Sequence, residues 1–232
     1  MLTPIEMEAI ALLHLLQLAS PSLPIGAYSY SQGLEAAIEN KKVCDADSAK
    51  QWISTMLHQV IARCEAPIVW RLMQAFSDRD ANAISTWTEQ YLASRDTAEF
   101  RAETIQMGYS LGKLINELQA GDAALLALLN TPAEIPLPTA FACAAVTLGI
   151  AHDAALLGML FSWVENQVLV CVKSVPLGQV AGQRLLLALQ TEIAAAANTA
   201  KTIADEDISN WAPALSLLSM QHEVQYSRLY RS

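Results

Sequence analysis

Apolar residues recur at a helical spacing along most of the chain. From residue 52 to residue 61 they fall at positions i, i+3, i+4, i+7 and i+8, which places one apolar stripe along a helix. Asp45 and Asp47 precede this stripe and are candidate N-caps. A shorter pattern between residues 84 and 92 predicts a further helix.

A second long stripe runs from residue 100 to residue 118. Asp96 and Glu99 stand three positions apart before it, as in a capping box, and Gly121 is placed to end the helix. Pro67 falls between two helical patterns, where it either starts the second helix or kinks a continuous one.

The second half of the chain is more apolar still. Residues 139–150, 153–173 and 179–201 predict three long apolar or alanine-rich helices, after a proline-containing linker at residues 131–138. Residues 168–172 have strand propensity, but they continue a helical pattern without a turn signal, so a helix is favoured.

These patterns predict an all-α fold, because no convincing sheet alternation appears elsewhere. The simplest organisation is a single-domain bundle of roughly eight to ten helices that spans residues 1–232. Residues 220–232 lack a full helical stripe and are predicted to be a separate C-terminal module.

The composition is unusually apolar for a chain without a long hydrophobic segment. Apolar residues make up 53% and charged residues 16%, against about 25% charged in an average domain. The longest charge-free runs, near residues 140–151 and 154–164, are shorter than the roughly 18 to 20 residues of a membrane-spanning helix. We therefore expect a soluble protein that hides apolar surface in an oligomer or a complex.

The charge and cysteine content exclude some classes of protein. A net charge of -9 and only 14 scattered Lys and Arg residues argue against nucleic-acid binding. The first residues show no basic export signal, which predicts a cytoplasmic location. Four widely spaced cysteines among apolar neighbours predict reduced, buried thiols: Cys44, Cys64, Cys143 and Cys171.

No catalytic or metal-binding motif is visible. The four histidines are isolated, and neither a Cys-x-x-Cys pair, a nucleophile elbow nor a phosphate-binding loop occurs, so we predict no catalytic residue, no bound metal and no cofactor. His222 beside Glu223 is the exception, since either a transient metal contact or a hydrogen bond to a partner fits it. The alternative function is a freestanding all-helical enzyme with a small hydrophobic substrate.

Residues 16–35 form the most informative segment. Pro21 and Pro24 fix their own φ angles, and Gly26 permits either sign of φ, so the chain must bend sharply between two apolar helical stretches. The bend carries apolar side chains that an ordinary surface loop lacks: Leu23, Ile25, Tyr28 and Tyr30. Either they dock on a partner, or they are core residues of an internal turn.

This segment closely resembles the signature of the F-type urease accessory protein family. Further matches follow in the family's order at residues 94–108, 165–167, 173–179 and 220–232. Two departures are visible: Ala27 and Tyr28 replace the usual Gly-Phe, and Tyr230 replaces Phe. Both change only fine packing, so the resemblance covers nearly the whole chain.

The resemblance implies a role in nickel insertion into urease. Members of the family form homodimers, join the D-type accessory protein (called H in some organisms) and recruit the urease GTPase for delivery of nickel to apo-urease. It also implies a set of partner-binding residues in the turn, at residues 173–179 and in the tail: Ser20, Pro21, Pro24, Ile25, Gly26, Tyr28, Ser29, Tyr30, Ser31, Gly33, Glu35, Lys173, Pro176, Gly178, Gln179, His222, Glu223, Gln225, Tyr226, Arg228, Leu229 and Arg231.

Several charged side chains receive more specific expectations. Glu35 offers negative charge to a basic partner surface, and Lys173 is either exposed or paired at a helix end. Arg101 and Glu103 are expected on solvated faces. Residues 220–232 are expected to be loosely held in the free protein and ordered on a partner, with Arg228 and Arg231 as anchors.

Overall fold

Helices account for the regular structure of the chain. The computed structural model describes residues 3–118 and 122–232, so the predicted helix end at Gly121 lies outside the described residues. Those residues form eleven α-helices, ten of them seven residues or longer, three short 3-10 turns and no strand, which confirms the all-α fold. The helices are α1 (Pro4–Leu18), α2 (Leu34–Glu39), α3 (Ala46–Gln59), α4 (Glu65–Asp78), α5 (Ala81–Ala93), α6 (Ala98–Glu117), α7 (Ala123–Leu129), α8 (Leu137–Thr147), α9 (His152–Ser174), α10 (Gln179–Thr202) and α11 (Pro213–Glu223).

The helix starts show one correct and one wrong prediction. Asp45 caps α3, since its carboxylate accepts a hydrogen bond from the backbone N–H of Ser48. The cap of α6 is Thr97, not Asp96, because the Thr97 hydroxyl accepts from the backbone N–H of Phe100. Glu99 does not complete a capping box there, since its carboxylate is turned toward the C-terminal part of the chain.

The core lies where α8, α9 and α10 meet the first half of the chain. α8 packs against both α4 and α6, and α9 packs against α10, α3 and α4. The buried apolar side chains form one continuous cluster. Three of the four cysteines are buried and unpaired, as expected, whereas Cys44 is exposed. Because α8 is alanine-rich, its neighbours can approach it closely.

α6 and the chain before α8 come into direct backbone contact at Gly108. A Cβ atom built on this residue would lie 2.1 Å from the carbonyl oxygen of Ile135 and 2.8 Å from the nitrogen of Leu137. One turn earlier on α6, the Thr104 hydroxyl accepts a hydrogen bond from the same Leu137 nitrogen at 3.1 Å. Only glycine allows this approach.

α9 extends well beyond the charge-free run at residues 154–164, so it is a longer apolar segment than that run predicts. By length and composition, it is the one helix among residues 3–118 and 122–232 that could cross a membrane. Half of its most apolar window is buried inside the fold, where α9 contacts α3, α4 and α10. This is the burial expected of a core helix.

Candidate interaction site

The predicted bend is present between α1 and α2. Gly26 and Gly33 have φ angles of 79° and 81°, and Gln32 also lies in the left-handed region with φ 56°. An added Cβ at Gly26 would meet no heavy atom within 4 Å, whereas at Gly33 it would contact the Leu215 side chain of α11 at 3.0 Å. Residues 20–35 are called the signature turn below. Its first glycine is therefore exposed, and its second is packed against α11.

The sequence left open whether the apolar side chains of the signature turn dock on a partner or pack in the core, and the turn contains side chains of both kinds. Ile25 and Tyr30 are buried in the core, whereas Tyr28 is half-buried and donates a hydrogen bond to Glu165 at 2.7 Å. Burial, followed by this contact, raises the pKa of Tyr28. The docking interpretation is thus wrong for Ile25 and Tyr30 in this structure, because their side chains fill the core.

Three consecutive residues of α9 hold the signature turn in place. Besides Glu165, the Asn166 amide donates to the carbonyl oxygen of Tyr30 at 2.9 Å, and the Gln167 amide donates to that of Ser31 at 3.4 Å. These residues belong to the motif at 165–167, and no partner-binding role was inferred for them from the sequence. Polar side chains inside a mostly apolar helix need hydrogen-bond partners, and this feature of the sequence could have indicated their role.

The end of the chain docks beside the signature turn. The Arg231 nitrogen donates to the Ser29 carbonyl oxygen at 2.8 Å, and the Ser31 nitrogen donates to that of Ser232 at 2.7 Å. Tyr230 and Ser232 are buried. The expectation that residues 220–232 are loosely held in the free protein is therefore corrected, since backbone pairing and burial fix them to the fold. The segment 224–232, after α11, is called the tail below.

Glu35 is the main anchor of the tail. Its carboxylate accepts hydrogen bonds from the backbone nitrogens of Leu229 at 2.7 Å and Tyr230 at 3.0 Å. The same carboxylate lies 3.0 Å from Nε2 of His222. Glu35 is buried, so the prediction that it offers charge to a basic partner surface is wrong: its charge is used inside the chain.

His222 connects two carboxylates. Its side chain is fully buried, and its Nδ1 atom lies 2.9 Å from Glu99 while Nε2 faces Glu35. Arg228 also donates to Glu99 at 2.9 Å. Burial raises the pKa of Glu99, and its contacts with His222 and Arg228 oppose this rise. These four side chains, Glu35, Glu99, His222 and Arg228, are called the clasp below.

The clasp is not arranged as a metal site. Its two carboxylates lie on opposite sides of the imidazole ring, so they share no common point with one ring nitrogen. Across the part of the chain that the structure describes, no group of three or more His, Cys, Asp or Glu side chains is placed to hold a metal ion. The polar atoms of the clasp are used to hold the tail.

A second buried network lies at the far end of the tail. Glu103 is only 3% exposed, and its carboxylate accepts hydrogen bonds from the Gln32 amide and from the Ser232 hydroxyl. Trp163 in turn donates to Gln32 at 2.6 Å. Burial raises the pKa of Glu103 to about 7.

The expectation of solvated faces holds for only one of the two residues on α6. Arg101 pairs with Glu134 near the surface, whereas Glu103 points into the core. Two positions along a helix differ by about 200° in direction, so neighbouring charges can face opposite sides. The sequence prediction treated the two residues as one pair, and this is why it was wrong for Glu103.

We expect Glu103→Gln to flatten the pH dependence of stability. A carboxyl group whose pKa rises from 4.5 to about 7 on folding stabilises the protein below the lower value, and this contribution is lost as the pH rises through about 7. Glutamine resembles the protonated acid at every pH. Chemical denaturation should show that the variant exceeds the parent at about pH 8 by on the order of 3 kcal/mol. Equal stability at that pH would contradict the burial argument.

The predicted partner-binding residues have varied exposure. Those exposed in the structure are Pro21, Pro24, Gly26, Lys173, Pro176, Gly178, Gln179, Glu223, Tyr226, Arg228, Leu229 and Arg231. Those of intermediate exposure are Ser20, Tyr28, Ser29 and Gln225. Those buried are Ile25, Tyr30, Ser31, Gly33, Glu35 and His222. The buried group supports the turn and the tail from inside, while the others are at least partly accessible.

A surface depression joins three separate parts of the predicted set. The turn, the end of α9 and the tail all contribute, through Tyr28, Ser29, Lys173, Leu229, Tyr230 and Arg231. The Lys173 ammonium lies 5.8 Å from the centre of the Tyr230 ring. Two cationic side chains thus flank aromatic rings on a chain whose net charge is -9. We call this depression, together with the exposed tail side chains beside it, the turn–tail face.

Comparisons with known proteins identify the family of the chain. Residues 43–190 match the family model described as UreF. The chain is 72% identical over 226 residues to the urease accessory protein UreF of Janthinobacterium sp. (strain Marseille), covering 97% of this chain and 100% of the relative. It is 62% identical over 222 residues to the urease accessory protein UreF of Nitrosospira multiformis, with 96% and 98% covered. The chain belongs to the UreF family. The resemblance found in the sequence is confirmed.

The interior of this UreF-family chain offers little room for a substrate. Two partly open cavities border Gln32, Glu103 and Trp163, and their volumes are about 40 and 90 Å³. Pockets that bind small molecules usually measure about 300 to 1,000 Å³. The cavities therefore give no support to the alternative of an enzyme with a small hydrophobic substrate.

Proposed function

We propose that this chain is a non-catalytic scaffold for the maturation of urease by nickel insertion. It joins the D-type accessory protein and recruits the urease GTPase, so that nickel reaches apo-urease within one assembly in the cytoplasm. Family membership supports the accessory role. The observation that carries the scaffold role is the convergence of the turn, the end of α9 and the tail on one surface depression.

The exposed side chains of the tail have the character of binding anchors. Leu229 is 73% exposed, and the side chain of Tyr226 projects fully into solvent. Arg231 lines the depression beside them. Aromatic and arginine side chains dominate many protein interfaces, and a docked backbone presents them with little further loss of conformational entropy. The tail therefore acts as a preformed part of the interface.

A second apolar surface lies on α1. This helix packs against α9, yet it exposes six large apolar side chains: Ile5, Met7, Ile10, Leu12, Leu13 and Leu16. A contiguous exposed apolar surface marks an interaction site more often than a free surface. We propose that α1 is covered in the assembled complex, and that the chain forms a homodimer through a hydrophobic helix-to-helix interface.

The scaffold would act through binding free energy alone. If it binds the GTP-bound and GDP-bound forms of the GTPase with different affinities, the nucleotide state and the release of nickel are coupled, and the coupling is reciprocal. This role needs neither a catalytic residue nor a resident metal in the chain. Nickel would be cargo that passes through the assembly.

The direct test is purification of the chain with the D-type accessory protein and the urease GTPase. We expect a defined complex by light scattering, a dimer of the chain alone, and nickel-containing active urease only when the chain is present. Absence of a complex at micromolar concentrations would overturn the scaffold role. Turnover of small apolar esters or amides by the chain alone would favour the enzyme alternative.

Gly26→Ala tests whether the signature turn takes part in binding. The added methyl group meets no other atom, so its effect is backbone strain at φ 79°, which costs about 1 kcal/mol. We expect a correspondingly small loss of stability. Because the turn relieves the strain by leaving the conformation that binds, we also expect about a fivefold loss of affinity for the D-type protein, measured by calorimetry.

Gly149→Ala is the matched control for Gly26→Ala. Gly149 has φ 68° and the same open space around an added Cβ, but it lies between α8 and α9, away from the turn–tail face. It should lose similar stability and keep its affinity. If the two variants bind equally well, the signature turn is only a connection between helices.

A further inference from the structure

Arg95 is a buried cation just after the end of α5. Its side chain is only 10% exposed. Its Nε and Nη2 atoms donate to the Ser94 hydroxyl at 3.3 and 3.2 Å, and its guanidinium carbon lies 4.5 Å from the centre of the Tyr91 ring. An arginine keeps its charge in proteins, so this positive charge has to be balanced inside the fold.

Glu65 supplies the opposite charge without a direct hydrogen bond. Its side chain is 11% exposed, and its Oε2 atom lies 3.8 Å from Nη1 of Arg95. Direct N–H···O hydrogen bonds usually measure about 2.7 to 3.2 Å. Across residues 3–118 and 122–232, Nη1 reaches no hydrogen-bond acceptor, since Arg95 donates through Nε and Nη2. A buried ion pair stabilises a fold only when its remaining N–H groups and lone pairs are also satisfied.

The guanidinium of Arg95 is held away from Glu65. Ser94 binds two of its nitrogens, and the Cys64 sulfur lies 3.8 Å from Nη2. The Tyr91 ring covers one of its faces. A shift of the guanidinium toward Glu65 would weaken these contacts, so the gap is a consequence of the way the arginine is held.

Glu65 is also the end of a hydrogen-bond chain. The Leu137 nitrogen donates to the Thr104 hydroxyl at 3.1 Å, and this hydroxyl donates to that of Tyr91 at 3.4 Å. The Tyr91 hydroxyl then donates to Oε2 of Glu65 at 2.9 Å. The chain joins α8, α6, α5 and α4, and it stops 3.8 Å short of Arg95.

The smaller of the two cavities lies at this gap. Its volume is about 40 Å³, and it is bordered by Glu65, Tyr91, Arg95, Thr104 and Leu137. One water molecule needs about 10 to 15 Å³ of such space, so the cavity has room for about one to three molecules. A molecule that both donates and accepts hydrogen bonds suits a site between a guanidinium and a carboxylate. Water commonly bridges polar atoms that are more than about 3.5 Å apart.

We propose that this cavity is a binding site for internal water, in which one molecule accepts a hydrogen bond from Nη1 of Arg95 and donates one to Glu65. The water completes the chain from Leu137 to Arg95 and fixes α6 to α4 and α5. Because Glu99 and Glu103 of α6 bind the C-terminal segment, the water supports the base of the turn–tail face. The site belongs to the isolated chain and does not depend on the proposed scaffold function.

A crystal structure of the full-length chain, at a resolution that shows ordered solvent, tests the site directly. We expect a water peak at about 2.7 to 3.2 Å from both Nη1 of Arg95 and a carboxylate oxygen of Glu65. A cavity without such a peak, or a direct hydrogen bond between the two side chains, would overturn the proposal.

Two variants show whether the ion pair holds the water. Arg95→Met combined with Glu65→Met removes both polar partners and keeps unbranched side chains in their place, so this water peak should be lost. Tyr91→Phe is the control, because it removes the neighbouring hydroxyl but keeps Arg95 and Glu65, and its peak should remain. A peak that persists in the double variant, or disappears in Tyr91→Phe, would contradict the assignment. If the double variant does not fold, the parent and Tyr91→Phe decide the matter.

Discussion

Gly108→Ala should lower the free energy of unfolding by about 3 kcal/mol, at the upper end of the usual cost of overpacking. The new Cβ would lie 2.1 Å from the Ile135 carbonyl oxygen and 2.5 Å from the Pro136 carbonyl carbon. These are backbone atoms, so no side chain can rotate out of the way. α6 and the start of α8 would have to separate, and the hydrogen bond from the Leu137 nitrogen to Thr104 would be weakened.

Gly112→Ala is the matched control on the same helix. Its added Cβ would meet only the Leu129 side chain, at an ordinary contact distance of 3.6 Å. Because alanine is the better helix former, this variant should gain roughly 0.5 to 1 kcal/mol. Chemical denaturation of both variants measures the difference directly. Equal stabilities would show that the close approach at Gly108 does not constrain the packing of α6 on α8.

Deleting residues 224–232 should abolish binding of the D-type accessory protein while leaving the helices folded. The deletion removes the exposed anchors Tyr226, Leu229 and Arg231, and it leaves Glu35 open to water. Hot-spot side chains contribute about 2 kcal/mol or more each, so the affinity should fall by at least about 100-fold. Urease activation should be lost with it. Circular dichroism and calorimetry report the two effects separately.

A double variant separates the surface of the tail from its structural part. Leu229→Ala with Arg231→Ala removes two side chains that line the depression, but it keeps the backbone groups that pair with Glu35 and Ser29. Its stability should match the parent, and its binding should be strongly reduced. If the deletion unfolds the chain while the double variant binds with full affinity, the tail serves stability only.

Local patterns were sufficient for most of the fold. The stripe behind Asp45, the long apolar segments of the second half and the proline-containing linker each correspond to features of the structure, because helix spacing and capping depend on neighbouring residues. α6 ends at Glu117, one residue before the end of the predicted stripe at residue 118. The resemblance also identified the segments that form the turn–tail face.

Burial of individual charged residues could not be predicted in the same way. Glu35 looks like an ordinary acidic residue in the first turn of a helix, and its donors come from residues 222–230. Glu103 meets Gln32 and Ser232, which are equally remote in sequence. The tail itself has no helical stripe, so its docking depends on contacts that only the folded chain provides. These carboxylates are buried by contacts with residues far away in the sequence, so their burial could not be predicted from the residue type or from neighbouring residues.

Hydrogen exchange of the chain with and without the D-type accessory protein tests the turn–tail face most directly. We predict new protection in residues 26–31 and 224–231 on complex formation, and none in the connection between α4 and α5, which lies outside this face. Complex formation without new protection in the turn and the tail would contradict the account.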